Sequence, residues 1–154
     1  MQLIWFLIGF IGIELFATLI HKYLMHGPLW FIHESHHRPK GRFELNDLFA
    51  VLFGGIGVWL LVSGSLAAFD FRFWMGLGIS VYGGVYFYLH DVLVHRRAGK
   101  AKTPEWAYIK ALRHAHRMHH KHVNKLPSES YGLLLFSWRY FKEASWNTPS
   151  KAKD

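Results

Sequence analysis

The 154-residue chain contains no cysteine. That absence removes disulfides, thiolate zinc sites, iron–sulfur clusters and cysteine nucleophiles, and leaves cysteine usage silent on redox compartment. Acidic residues are also scarce, ten against eighteen lysines and arginines, giving a formal charge of +8. No DNA- or RNA-binding motif accompanies that charge, and the basic residues lie beside apolar runs rather than in a domain of their own, so nucleic acid is not an expected partner. Any bound metal must rely on histidine and carboxylate. Apolar and aromatic surface is abundant: 51% of residues are hydrophobic, with thirteen Phe, seven Trp and seven Tyr. A single domain of this length cannot enclose them all in a water-soluble core, and a bilayer is the better solvent.

Three apolar runs, about residues 3–20, 47–65 and 72–90, each approach the roughly 20 residues that cross a bilayer. The first leads into His21 without a small-residue cleavage site and reads as a retained span, not a signal peptide. The segment Gly64 to Asp70 is just long enough for a tight helical hairpin. Three spans put the termini on opposite sides. Of the eighteen Lys and Arg only Arg72 then falls on the far side, so the positive-inside rule places the amino terminus outside. All twelve histidines collect at or beyond the cytoplasmic ends of the spans.

Between the spans, Gly27-Pro28 can open a short helix through His33 to His37, ended by Arg38-Pro39-Lys40-Gly41. Thr103 as cap, Pro104 and Glu105 predict a helix over 104–122, before Pro127. Tyr131 to Phe141 suits an interfacial segment better than a fourth span, and beyond Ser145 the chain reads as a disordered polar tail. Glycines 54, 55, 57, 76, 78, 83 and 84, with Ser80, read as close helix-packing positions. The expected fold is one all-α integral membrane bundle of three spans, residues 131–141 being the only candidate for a fourth, with a cytoplasmic helical cap carrying the histidines.

Ten histidines form two copies of one pattern. H-x4-H at His21 and His26 precedes H-x2-HH at His33, His36 and His37; His90 and His95 precede His116, His119 and His120. Rings at i, i+3 and i+4 share one helical face, within about 100°, and can converge on neighbouring metal positions. Five residues on an α-helix rotate about 140°, so each H-x4-H pair either serves two metals or distorts its helix. His114 points away from the second cluster and His122 lies off its edge. Any single histidine is usually a surface or satisfied core residue; ten in repeated ligand spacing at one depth are poorly explained that way. Ten neutral imidazoles suit two ions with positions left open, and ligand type admits iron, zinc, copper or nickel. Carboxylates should orient the imidazoles from behind, Glu34 and Asp91 foremost, with Asp47 equally suited to capping the second span. Glu14, Thr18 and His21 share one stripe of the first span, as do Tyr82, Tyr86 and His90 on the third. Glu14 there reads as an interhelical hydrogen-bonding group at least as readily as a catalytic one.

His21 to Gly27 (HKYLMHG), His33 to His37 (HESHH), His90 to Arg97 (HDVLVHRR), Ala115 to His120 (AHRMHH) and Tyr131 to Leu134 (YGLL) resemble, in order and spacing, blocks of the membrane fatty acid hydroxylase superfamily. Within it they look like the bacterial β-carotene 3-hydroxylase group. The resemblance covers most of the chain. It implies a non-haem di-iron oxygenase using O2 to hydroxylate carbon 3 of a β-ionone ring, with a ferredoxin-like electron donor, and makes the ten patterned histidines ligands to two iron ions, replaceable by zinc in purified material. Tyr82, Tyr86 and Trp30 are candidates to line the ring pocket, against the commoner role of aromatics at lipid interfaces.

Two rivals come from other classes. His33-Glu34-Ser35-His36-His37 also satisfies H-E-x-x-H, the pattern of an intramembrane zinc metalloprotease with Glu34 as general base. A metal transporter would instead place ionisable groups at the bilayer midplane. Within the superfamily, fatty acyl or sterol hydroxylation and desaturation remain chemically open; the resemblance alone selects a carotenoid.

Overall fold

The computed structural model describes residues 1–97, 101–122 and 130–146, and those residues are helices joined by turns and irregular segments. Helix α1 (Gln2–Ile20) runs on into a widened turn at His21–Met25. Then come α2 (Trp30–His37), α3 (Asp47–Leu66), α4 (Phe71–Tyr86) with a similar extension over Phe87–Val94, α5 (Ala107–Lys121) and α6 (Arg139–Trp146). Three units are long and apolar enough to cross a membrane: Gln2–Met25, Asp47–Leu66 and Phe71–Val94. Residues 131–141, read as interfacial rather than as a fourth span, form an irregular stretch and the start of the eight-residue α6, too short to cross. Most of the tail beyond Ser145 lies outside the described residues, as does Pro127; residues 145 and 146 complete α6.

Helix α4 is central, packed against both α1 and α3. Glycine permits that closeness. A Cβ at Gly78 would lie 2.2 Å from the Phe6 carbonyl oxygen of α1, and one at Gly76 would lie 2.8 Å from the Gly57 carbonyl oxygen of α3. Gly9 and Gly64 make equally close approaches that the sequence reading passed over. Conversely Gly54, Gly55, Gly83 and Gly84, expected at helix contacts, have nothing within 4 Å of a Cβ. These four lie off the contact stripes, and Gly54 and Gly83 face a cavity described below.

The predicted hairpin between α3 and α4 closes through Phe69 N–H donating to the Gly64 carbonyl, with Ala68 and Phe69 in the left-handed region. Asp70 then caps α4 by accepting from Arg72 N–H. Helix α5 begins at Ala107, not near Pro104: Thr103 accepts from Arg96 instead of capping, and residues 101–106 have no regular structure. Two consequences matter for function. The carboxyl ends of α1 and α4 and the amino end of α3 meet at one end of the bundle, and α2 and α5 cover that end.

Gly78→Leu should destabilise the bundle by about 1–3 kcal/mol through overpacking, whereas Gly84→Ala should leave the unfolding midpoint unchanged. Thermal unfolding in lipid nanodiscs checks both, and equal stability of the two variants would contradict this packing.

Candidate metal centre

Two nests of imidazole lie where α2 and α5 meet the ends of α1 and α4. Nitrogens of His21, His26, His33, His37 and His119 all fall within 4.8 Å of one another, and those of His36, His95, His116 and His120 form a second such group. The nests adjoin, the His37 ring stacking on His120 at 4.4 Å. His90 stands beside the second nest, its ring 4.5 Å from His95 and 4.8 Å from His36, without joining the four converging nitrogens. His114 pairs instead with Glu143, and His122 with the Met118 carbonyl, so neither enters a nest.

Local winding explains how each H-x4-H pair reaches one place. His26 N–H bonds the His21 carbonyl at 3.0 Å and His95 N–H bonds the His90 carbonyl at 2.8 Å, both i to i+5. These are π-helical turns, which carry one extra residue per hydrogen-bonded loop and so bring i and i+5 onto one side. Of the two geometries the spacing allowed, helix distortion is the one adopted, starting at His21 in the first span. The H-x2-HH clusters divide instead. His33 and His37, four apart, enter the first nest while His36 enters the second; His116 and His120 enter the second while His119 enters the first. Each half of the chain therefore lends one ring to the other half's nest.

The donor chemistry fits a cation. His21 Nδ1 donates to the Tyr131 carbonyl at 2.8 Å and His33 Nδ1 to Asn46 Oδ1 at 2.6 Å, so both rings carry their proton on the outer nitrogen. Their Nε2 lone pairs then face each other at 2.9 Å. Similar Nε2 pairs occur at 3.2 Å for His26 and His119 and 2.7 Å for His95 and His116. Lone pairs so placed repel unless a proton or a metal ion lies between them. Protonation is disfavoured: burial above all, with help from neighbouring imidazoles, pushes His33 and His120 down to about 4 and His37 and His95 to about 2. His36, His116 and His119 move the same way for the same reason. Neutral imidazoles with inward lone pairs are the form that binds a divalent metal.

Behind the rings the polar partners differ from those expected. Asp91 Oδ1 does accept from His90 Nδ1 at 2.9 Å. Glu34 does not orient any imidazole: it turns outward, half-exposed, to pair with Arg38 at 2.8 Å along its own helix. Glu44, unmarked in the sequence because it sits in an irregular loop, takes that role, its Oε2 accepting from His36 Nδ1 at 3.0 Å while nearly fully buried. Asp47 does not cap α3 with its side chain. It accepts from Glu44 N–H and from Arg97. Arg97 gathers these acids, lying 2.8 Å from Asp47, 3.4 Å from Asp91 and 3.5 Å from Glu44. Burial raises the Glu44 carboxyl above its usual range, and the Arg97 guanidinium opposes that shift.

A cavity of about 430 Å³ leads from the nests into the bundle. Ile13 and Ala17 of α1, Phe49 and Phe53 of α3, and Tyr82 and Tyr86 of α4 form its apolar walls, and His21, His33, His36, His90 and His116 lie at its polar end. Tyr86 stacks on His90 at 4.6 Å, joining wall to nest. Trp30, the third pocket candidate, is not among the lining residues; it packs behind the first nest against His26 and His37. The metalloprotease alternative loses its base, because Glu34 faces solvent with Arg38 although His33 and His37 share a nest.

Three apolar helices ending in paired histidine nests define a membrane-embedded, metal-binding class of protein. The sequence pattern of the fatty acid hydroxylase family matches residues 6–142, and the chain belongs to that family. It is 46% identical over 125 residues to the β-carotene hydroxylase of Pantoea ananas, an overlap of 80% of this chain and 71% of that protein. It is 43% identical over 129 residues to the β-carotene hydroxylase of Pseudescherichia vulneris, covering 83% and 73% respectively. It is also 39% identical over 129 residues to the chloroplastic β-carotene 3-hydroxylase 1 of Arabidopsis thaliana, covering 81% of this chain and 41% of the plant protein. No solved structure matches it at a significant level. The chain is thus an enzyme of the hydroxylase type, similar over most of its length to monooxygenases.

If Glu44 and Arg97 hold the second nest in order, Glu44→Gln and Arg97→Gln should each weaken metal retention by about 10–100-fold in chelator competition. Glu34→Gln should leave retention unchanged. Equal effects at positions 34 and 44 would contradict the assignment.

Proposed function

We propose that the protein hydroxylates carbon 3 of the β-ionone ring of β-carotene or a related carotenoid, using O2 and two iron ions. The observation that carries this reading is the continuity of one cavity from apolar helix walls to the histidine nests. Its volume lies within the range of small-molecule sites, about 300–1,000 Å³. The names of the relatives favour a carotenoid over a fatty acyl or sterol substrate.

In this reading His21, His26, His33, His37 and His119 hold one iron, and His36, His95, His116 and His120, with His90 beside them, hold the other. When bound, the iron pair would supply O2 activation, one oxygen atom entering the C–H bond and the other leaving as water with two electrons from a donor and two protons from solvent. The remaining work falls to the chain. Phe49, Phe53 and Ile79 offer an apolar bed for the ring, and the stacked pair Tyr86 and His90 limits how deep it goes. The Tyr82 hydroxyl is already committed to Glu14, so that residue presents its ring rather than a polar group to the substrate. Gly54 and Gly83, with empty space where a Cβ would be, keep the slot wide. The apolar walls also keep bulk water from the reacting carbon.

We place the nests at the cytoplasmic face and the amino terminus outside, because seventeen of eighteen basic residues lie toward the histidine end. A ferredoxin-like acidic donor has exposed Arg117 and Lys121 of α5 to dock against, close to the second nest.

Expression in cells that accumulate β-carotene should yield ring-hydroxylated pigment, and His36→Ala or His119→Ala should abolish it. Gly54→Phe should lose product while retaining its metal, since it fills the slot without touching a nest. Absence of hydroxylated pigment from the unaltered chain defeats the carotenoid assignment; product surviving either histidine substitution defeats the ligand assignment.

A further inference from the structure

We infer that Glu14, deep in the first span, is a positioning residue that pins the Tyr131–Leu135 segment to the membrane bundle and through it fixes the orientation of His21. An ionisable side chain inside a span is costly and needs a reason to be there. Glu14 is 1% exposed, and among the described residues its carboxyl group accepts three hydrogen bonds. Oε2 accepts from the Tyr82 hydroxyl of α4. Oε1 accepts two backbone N–H groups, Leu134 at 2.8 Å and Leu135 at 2.9 Å.

Those two amides belong to a segment without regular secondary structure, so no helix ladder supplies their partners. Backbone donors outside a helix ladder still need an acceptor, and for these part-buried bonds a side chain from a different part of the chain provides it. The segment also rides directly on this stripe of α1. A Cβ on Gly132 would lie 2.6 Å from the segment's own Leu135 carbonyl oxygen, 2.9 Å from Glu14 Oε1 and 3.0 Å from Thr18 Oγ1, which only glycine avoids. From the other side Leu133, buried against Leu93 and Leu112, holds the same segment down.

The segment reaches the first nest through one bond. The Tyr131 carbonyl accepts from His21 Nδ1 at 2.8 Å, which sets the tautomer that aims the His21 Nε2 lone pair inward. Ser130, Tyr131, Gly132 and Leu133 also form part of the cavity wall. Glu14 therefore acts on the nest at one remove. It accepts two amides, the amides fix the carbonyl, and the carbonyl fixes the ring.

The link to metal rests on the proposed reading of the nests, but the anchoring itself does not, and the test separates them. The full chain is reconstituted in lipid nanodiscs with iron, and amide hydrogen exchange at Leu134 and Leu135, bound metal per chain and thermal unfolding are measured. Glu14→Leu should speed exchange at both amides by about tenfold or more and lower the metal content, while the glycine contacts of α4 keep the bundle folded. Glu14→Gln should behave like the unaltered protein, because its amide oxygen accepts both N–H groups and its NH2 donates to the Tyr82 oxygen. Gly132→Ala, whose Cβ strains the segment at the Leu135 carbonyl and crowds its seat on Glu14 and Thr18 without altering a membrane helix, should reproduce the exchange and metal changes, and serves if Glu14→Leu does not fold. Native exchange rates in Glu14→Leu and Gly132→Ala, faster exchange with undiminished metal, or Glu14→Gln as impaired as Glu14→Leu would each overturn the proposal. Fewer than two metals in the unaltered protein would instead count against the proposed function and leave the exchange arm standing.

Discussion

The arrangement depends on one electrostatic constraint: imidazole lone pairs aimed at one another in a buried space. His21 and His33 have their protons committed outward, to the Tyr131 carbonyl and to Asn46, so the nitrogens 2.9 Å apart between them are both acceptors. Such a set is tolerable only around a positive charge, and the depressed basicity of the rings makes a proton the poorer choice. A metal ion in each nest would resolve the repulsion, and the family to which the chain belongs is one of hydroxylases. The outer nitrogens then matter as much as the inner ones, since the Tyr131 carbonyl, Asn46 and Glu44 determine where the inner lone pairs point.

The fold serves that constraint by bringing four chain segments to one end of a bundle. Glycine contacts hold α4 against α1 and α3. The π-helical turns at the ends of α1 and α4 gather His21 with His26 and His90 with His95. The exchange of His36 and His119 between nests ties the two halves together, so neither nest can be assembled from one half alone. Because the same helices wall the cavity, the shape of the cavity and the placement of the nests follow from one piece of packing.

The spans and the histidine pattern were legible because each is a local property: an apolar run long enough for a bilayer, and a spacing repeated twice. The partition between nests was not, because i, i+3 and i+4 neighbours share a helical face and only the placement of α2 against α5 separates them. The H-x4-H pairs were ambiguous for a related reason, since a π-turn leaves no residue signature that distinguishes it from an ordinary helix end. Glu34 misled because adjacency to ligands in sequence suggested adjacency in space, yet its helix phase and Arg38 carry it outward. Glu44 and Asn46 reach the rings from a loop, where no periodicity announces direction. The start of α5 was misplaced because Thr103 and Pro104 make a good helix opening locally, while that stretch is irregular and the helix waits until Ala107.

The claim at the centre of this account is that two ions sit side by side, one in each nest. Anomalous X-ray scattering at the iron edge from crystals of the iron-loaded protein measures it directly. Two peaks per chain are predicted, one among His21, His26, His33, His37 and His119 and the other among His36, His95, His116 and His120. A single peak, or a metal bound away from these rings, would contradict it.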